Sequence, residues 1–425
     1  MRAIVIGGGW AGIAAAITAR LAGAEVEIFE KTDMLLGLGN VGGIIRNNGR
    51  YTALEEIKAL GLEELVEIID GNCRHKNVDF PGHKHASLYD VNRMEVKIHK
   101  YIESIGVKVH LISRVVDANV QDKKLTSICL ANGDVYDGDV FIETTGSTGP
   151  MGNCLRYGNG CSMCILRCPS FGPRVSITSR VGVEDLQGER DDDVLGAFSG
   201  SCKLAKESLS QEIVDELNSK GVVVLKVPEE DVDVSKLKKK VCQQYALKEF
   251  AENVVLLDTG HAKLMTSYYP LQKLRKIKGL EYARYVDPYS GGKGNSIRYL
   301  SVAPRTNDMK VKGIDNLFVG GEKSGLFVGH TEAVASGSLA GYNAVFQAFG
   351  HAPLKLPRTI AIGDIIAYAN EKMETKEGRR NRYTFAGAEY FQHMKEVGLY
   401  TLDVKEIEER IEKAGLRDVF KKKIV

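Results

Sequence analysis

The stretch "RAIVIGGGWAGIAAAITARLAGAEVEIFEK", residues 2–31, reads as a strand, a tight glycine turn, a helix of small residues and a second strand with an acidic end. Ala3 to Ile6 form a continuous apolar run, which suits a central parallel strand covered on both faces. Gly7, Gly9 and Gly12 fill the G-x-G-x-x-G spacing. The first glycine permits the turn, the second lets a pyrophosphate approach the backbone, and the third lets helix and strand pack closely. The helix entered at Ala11 aims free N–H groups and its positive dipole end at such a phosphate. Glu30 stands eighteen positions after Gly12, where a carboxylate can accept both ribose hydroxyls, and Lys31 stands beside it. An acid there argues against a 2′-phosphorylated nucleotide. Strand, turn, helix, strand and acid in this order predict a Rossmann-like dinucleotide-binding domain.

Two later stretches favour FAD over NAD. Residues 107–146 alternate apolar and polar residues through short strands, with turns at Gln121–Lys123 and Asn132-Gly133-Asp134. This β-meander holds Val115 and ends in the apolar strand Val140–Glu143, which leads to Thr145 and Gly146. The second stretch, "GIDNLFVGGEKSGLFVGHTEAVASGSLAGYNAV", covers residues 313–345. It reads as a strand at Leu317–Val319, a glycine-rich loop with Gly321, Glu322, Gly329 and His330, and a helix from about Thr331. The N-terminus of such a helix can sit against the N1–C2=O edge of a flavin and stabilise the charge that develops there on reduction. His330, at the helix start, is a candidate catalytic donor to the flavin. No second G-x-G-x-x-G follows a strand, so no separate NAD domain is expected.

These pieces resemble the two-domain FAD oxidoreductases, in which an FAD domain is split by a substrate-side insertion. "GLGNVGGIIRNNG", residues 37–49 and including Gly42 and Gly43, is similar to the glycine-rich loop of the flavoproteins of the glucose-inhibited division A class. "VNRMEVKIHKYIESIGVKV" (91–109) and "IKGLEYARYVDP" (277–288) resemble further segments of that class. The class includes the tRNA uridine carboxymethylaminomethyl-modifying enzymes and the folate-dependent tRNA uracil methyltransferases. The resemblance implies an FAD enzyme; it covers mostly the FAD-binding parts and speaks less about substrate.

The bulk numbers fit that reading. With 44% hydrophobic residues, 26% charged residues and a net charge of +2, the chain looks like an ordinary globular protein without a bulk affinity for nucleic acid. No apolar run approaches the ~18 residues of a membrane span. A chain that enters a strand at once leaves no room for a signal peptide, so a cytoplasmic location and reduced cysteines are expected.

Four of the eight cysteines stand together in "NCLRYGNGCSMCILRCPSFGPR", residues 153–174. Cys154, Cys161, Cys164 and Cys168 have the spacing C-x6-C-x2-C-x3-C-P. Its last part matches the end of a ferredoxin run, so a [4Fe-4S] cluster is one reading. Four thiolates equally suit a structural zinc. A third reading is a redox or catalytic dithiol, Cys161 and Cys164, working with the flavin. Unrelated buried thiols remain the bland alternative. Cys73, Cys129, Cys202 and Cys242 are scattered singly.

Elsewhere, residues 208–221 read as a helix, 222–227 as a strand and 233–252 as another helix, with Lys236 and Lys238–Lys240 on its solvated face. The loop "SGGKGNS" (290–296) reads as mobile. His83 and His85 read as an exposed loop pair, and Arg46 and Arg174 as candidates to receive an acidic substrate. In the tail, Asp403 caps a helix whose Val404, Ile407 and Ile411 form an apolar stripe, stopped at Gly415. That stripe suits packing on the body of the protein or on a second subunit, as in a homo-oligomer.

The expected architecture is therefore α/β. A Rossmann-like FAD-binding domain with a β-meander (1–150) is split by an α+β substrate or redox domain (151–299). It resumes at 300–350, and a short helical tail follows (351–425). The expected activity is an FAD-dependent oxidoreductase acting on a small-molecule substrate or electron-transfer partner, with the four cysteines as second redox element. The alternative is a folate- and FAD-dependent tRNA or rRNA uracil methyltransferase, in which RNA is the partner. A non-catalytic flavin-binding subunit is the third class.

Overall fold

A computed structural model of the protein describes residues 1–146, 168–189, 197–199, 202–240, 242–266, 269–286, 296–298 and 300–424. Its centre is a five-stranded sheet in the order β15-β10-β1-β2-β6. The strands are β1 (Arg2–Ile6), β2 (Glu25–Phe29), β6 (Lys108–His110), β10 (Val140–Glu143) and β15 (Leu317–Val319), and every pairing is parallel. Ala3, Ile4, Val5 and Ile6 are all buried because helices cover one face and the meander the other. The meander is antiparallel: β7 (Val115–Gln121), β8 (Lys124–Leu130) and β9 (Val135–Asp137).

Two helices carry the glycine-rich segments. α1 (Trp10–Leu21) follows the first turn, and α6 (His330–Ala348) follows the closing loop. They approach backbone to backbone. A Cβ on Gly337 would lie 2.2 Å from the Ala11 carbonyl oxygen, and one on Gly341 would lie 2.1 Å from that of Ala15. Thr18 Oγ1 donates to Ser338 O across the contact (2.9 Å). The small residues of both helices exist for this proximity, which sets both N-termini at the same end of the sheet.

Helices α2 (Arg50–Ile57), α3 (Glu63–Gly71) and α4 (Met94–Ser104) share a core with one side of a small antiparallel sheet, ordered β3-β5-β4. Its strands are β3 (Ile44–Ile45), β4 (Cys73–Phe80) and β5 (His83–Tyr89). The inserted unit adds an antiparallel sheet, β11-β14-β13-β12, from β11 (Cys202–Leu204), β12 (Val222–Lys226), β13 (Asn253–Asp258) and β14 (Ala262–Leu264). Strand alternation decides its packing. Val254 and Leu256 face a core shared with Ile213 and Leu217 of α5 (Gln211–Lys220). Val255 and Leu257 face Ile44, Phe80, Leu88 and Phe250, which glues the insertion onto the small sheet.

Residues 233–252 depart from the expected helix. They form a 3-10 stretch at Val234–Lys239, a turn at Gln243–Tyr245 and a short helix at Glu249–Glu252. The side chains of Lys240, Gln244, Tyr245 and Phe250 are all buried, at spacings no single helix face offers. Lys240 is not on a solvated face: its ammonium donates to Met265 O (2.9 Å) under the Phe250 ring. The tail is helical as read, with α7 (Ala361–Met373), α8 (Ala388–Glu396) and α9 (Val404–Lys413). Glu56 of α2 accepts from the N–H groups of Ala361 and Ile362 (2.8 and 2.9 Å) and so anchors the start of α7. Asp403 caps α9 through the N–H groups of Lys405 and Glu406, and Ile407 and Ile411 are buried against the body.

Candidate functional site

The carboxyl ends of the central strands open into a cleft of about 500 Å³. Gly7 turns out of β1 with φ +102°, and a Cβ there would lie 2.7 Å from Thr144 O. A Cβ on Gly12 would lie 1.9 Å from Gly7 O, so Gly12 serves the packing behind the turn and does not line the cleft. Gly9 differs: a Cβ on it would meet nothing within 4 Å and would project into open space. That is the room a phosphate needs at the N-terminus of α1.

Ala11, Glu30, Lys31, Val115, Thr145 and Gly146 line one part of the cleft with Gly7 and Gly9. Glu30 stands where the sequence places it, but both its oxygens are engaged. One accepts from Gly8 N–H (2.7 Å) and the other from Thr32 N–H and Oγ1 (2.9 and 3.0 Å). A ribose would share those oxygens with the protein. Gly42, Gly321, Glu322, Gly329 and His330 line the cleft as expected. Gly43 and Thr331 do not. Gly43 (φ +71°) packs on Thr259, and Thr331 is fully buried with its hydroxyl unpartnered.

α6 is nineteen residues long, so its N-terminus carries a full dipole into the cleft. Gly329 precedes it at φ +149°, and a Cβ there would strike Arg50 and Glu332 at 2.0 Å. Those two form a buried ion pair (3.0 Å); Glu332 also accepts from Thr384 Oγ1 (2.6 Å) and Phe385 N–H (2.9 Å). The helix start is thereby locked to α2 and to the tail. His330 packs over Gly42, with Nδ1 3.2 Å from the Tyr89 hydroxyl. Tyr89 spends its proton on Gly39 O (2.6 Å), which assigns the Nδ1 proton to the bond between His330 and Tyr89.

The inserted unit supplies the opposite wall through Lys203, Cys242, Gln244, Tyr245, Lys263 and Met265. Lys263 Nζ reaches across to Val41 O (2.9 Å). Behind this wall, burial pushes the Lys240 ammonium down to about 8. Cys242, half-buried, is a described thiol on the cleft. Sequence reasoning passed over it because it stands alone, without a spacing pattern. Burial pushes the Cys73 thiol up to about 12, which marks it as inert.

Other expectations change. Arg46 does not await a substrate, since its guanidinium is held by Glu55 (2.5 Å) and Asp70 (2.6 Å). His83 is not an exposed loop residue. It is buried on β5, bonded through Nε2 to Gln244 O (3.0 Å), and pushed down to about 3, chiefly by burial and by the Arg50 cation. Arg174 does line the cleft. Cys154, Cys161 and Cys164 lie outside the described residues, as does most of 290–296; Cys168 opens a short described helix, Cys168–Phe171, but its side chain lies outside them too. Among the described residues no His, Cys, Asp and Glu side chains gather as a metal site, and no helix is long and apolar enough to cross a membrane.

Comparison with known proteins agrees with this geometry. The family model described as Glucose inhibited division protein A matches residues 2–265 and 230–352. The chain is 23% identical over 415 residues to the tRNA uridine 5-carboxymethylaminomethyl modification enzyme MnmG of Alkaliphilus oremlandii, covering 85% of this chain and 64% of that protein. It is 32% identical over 96 residues to the methylenetetrahydrofolate–tRNA-(uracil-5-)-methyltransferase TrmFO of Koribacter versatilis, covering 22% of this chain and 21% of the relative. The chain thus spans less than two thirds of the length of these curated relatives. Its fold is similar to that of Aquifex aeolicus GidA, with a TM-score of 0.65 at 18% identity, covering 97% of this chain and 76% of that one. With its glycine turn, closing helix and inserted wall all inside the matched residues, the chain belongs to the glucose inhibited division protein A family.

Proposed function

We propose that this protein is an FAD-dependent oxidoreductase that acts on a uridine base in tRNA. One observation carries the reading: a single cleft joins the phosphate-binding turn at Gly9, the N-terminus of α6 and a wall bearing Cys242 and two lysines. The residues fit FAD, because Gly9 leaves phosphate room, Glu30 faces the ribose position and the N-terminus of α6 opens into the cleft at Gly329 and His330. Bound flavin would supply two-electron redox chemistry. The α6 dipole favours negative charge at the cleft end it faces, where His330, its Nδ1 proton held by the Tyr89 hydroxyl, lines the wall. Lys203 and Lys263 add positive charge on the facing wall. Among the described residues, Cys242 is the cleft-lining thiol that could attack an electrophilic ring carbon such as C6 of a uracil. RNA replaces the small-molecule substrate expected from sequence, because both named relatives act on tRNA.

The four-cysteine stretch belongs to this reading as a second redox element, on its spacing alone. Purification without oxygen, followed by a flavin spectrum with iron, sulfide and zinc analysis, tests both parts. About one FAD per chain, and mass-spectrometric loss of one modified uridine in tRNA from cells lacking the protein, would support the enzyme. No FAD under any condition would overturn it. About four irons and four sulfides would support the cluster; a metal-free protein whose thiols do not change with flavin redox state would refute the second redox element.

A further inference from the structure

The wall of the cleft beside Glu30 carries a concentration of positive charge that the glycine turns do not explain. Lys31, Arg114 and Arg174 all line it. They converge on one short loop. Lys31 Nζ donates to Gly172 O (3.0 Å), and a Cβ on Gly172 (φ +78°) would lie 2.6 Å from the Arg114 guanidinium carbon. A Cβ on Gly146 (φ +76°) would lie 2.9 Å from Arg174 Nη1, so the arginine lies directly on the backbone that ends the fourth central strand segment. The Glu30 carboxylate already accepts three protein hydrogen bonds.

The loop is fastened from behind. Glu143 at the end of β10 accepts from the N–H groups of Ile177 and Thr178 (both 2.9 Å). Asp185 accepts from the hydroxyls of Ser176 (2.7 Å) and Thr178 (2.8 Å) and pairs with Lys323 (2.5 Å). Lys323 is fully buried and closes the turn Gly321–Lys323, whose first two residues line the cleft. Burial raises the Asp185 carboxyl, yet Lys323 and the Ser176 and Thr178 hydroxyls together hold it below the ordinary range.

Resting on the FAD reading above, we propose that residues 172–187 form a strap across the cofactor cleft, and that Arg174 on this strap binds the cofactor diphosphate. Lys31 and Arg114 hold the loop and add to the positive field. The signal is invisible to the glycine motifs because Arg174 arrives from a segment well over a hundred residues after the phosphate-binding turn.

The test uses the full-length protein and R174Q, R174K and wild type, with FAD, ADP and adenosine as probes. Flavin fluorescence gives the FAD Kd, and competition gives the others. A charge-assisted contact predicts that R174Q weakens FAD and ADP by roughly tenfold or more. Adenosine, which lacks phosphate, should be unchanged within about twofold, and R174K should recover part of the loss. Equal weakening of adenosine and ADP, or no change in either, would overturn the proposal. A wild type that binds none of the three would instead refute the FAD reading itself.

Discussion

The contact between α1 and α6 makes a quantitative prediction, because both helices feed the cleft. Gly337→Ala places a methyl group 2.2 Å from the Ala11 carbonyl oxygen, with the Ala11 carbonyl carbon and Cα at 2.8 Å. Non-bonded heavy atoms settle near ~3.5 Å, so the helices must separate by roughly 1 Å. The obstacle is backbone, and α1 is itself buried along Trp10–Ala19, so nothing can yield locally. Overpacking of this kind costs roughly 1–3 kcal/mol. Replacing a mid-helix glycine by alanine returns about 1 kcal/mol of helix propensity. Because the obstacle is backbone, the steric cost falls in the upper part of that range, about 2–3 kcal/mol, leaving a net loss of about 1–2 kcal/mol and weaker FAD binding. Gly71, the last residue of α3, is the control, since a Cβ there meets nothing within 4 Å. Urea unfolding at fixed FAD concentration should show G337A lowered in midpoint and G71A unchanged or slightly raised. A G337A protein as stable as wild type would refute the close-packing argument, as would an equal loss in G71A.

Cys242→Ser should retain fold and flavin content but lose uridine modification, read by mass spectrometry of tRNA; full activity would remove Cys242 from the chemistry. Glu332→Ala strands the buried Arg50 cation and should cost about 3–5 kcal/mol in denaturant unfolding; a loss under about 1 kcal/mol would mean that the pair is not closed in solution. His83 is neutral when folded, with its value near 3 against an ordinary 6.5. Between those pH values the unfolded chain binds the extra proton, so stability is present above pH 6.5 and falls on acidification by up to ~1.4 kcal/mol per pH unit. Stability measured across that window should fall less steeply in His83→Gln, and identical slopes would contradict a neutral buried imidazole.

Local chemistry made half of this site legible. The turn at Gly7–Gly12, the meander strands and the start of α6 each follow from periodicity and glycine placement within one contiguous segment. The inserted wall does not. Lys203, Cys242 and Lys263 come from separate strands and turns, and only the antiparallel pairing of β11 with β14 and the burial of 240–250 bring them together. Residues 233–252 show why pattern reading failed there. Their polar and apolar residues approximate a helical period, but Lys240 is drawn inside by the Met265 carbonyl, and Gln244 is buried on the wall of the cleft, neither of which the local pattern announces. His83 fails for the same reason, since its partner Gln244 O lies 161 positions away. Conversely, the glycine spacing puts Gly12 where helix and strand must pack closely, and in the structure Gly12 abuts Gly7 O and not the cleft.

The stretch Gly321–Glu332 is tied to the 172–187 loop and to α2 through buried ion pairs, Lys323 with Asp185 and Arg50 with Glu332. Buried pairs add little net stability relative to apolar replacements, yet losing one partner strands a charge. Their value here is position: each ties a cleft-lining loop to a distant segment. Lys323→Met should therefore destabilise by about 3–5 kcal/mol, since Asp185 keeps hydroxyl donors but loses its cation. Adding Asp185→Asn removes the nearer stranded charge but leaves the buried Glu143 carboxylate, 4.0 Å from the lost ammonium, so the double variant should regain part of that stability. FAD affinity should not return with it, because Lys323 no longer reaches Ser176 Oγ to hold the strap. Recovery of both together would show that the pair serves stability alone; recovery of stability without affinity would show that a buried charge is kept here to set where the cofactor cleft closes.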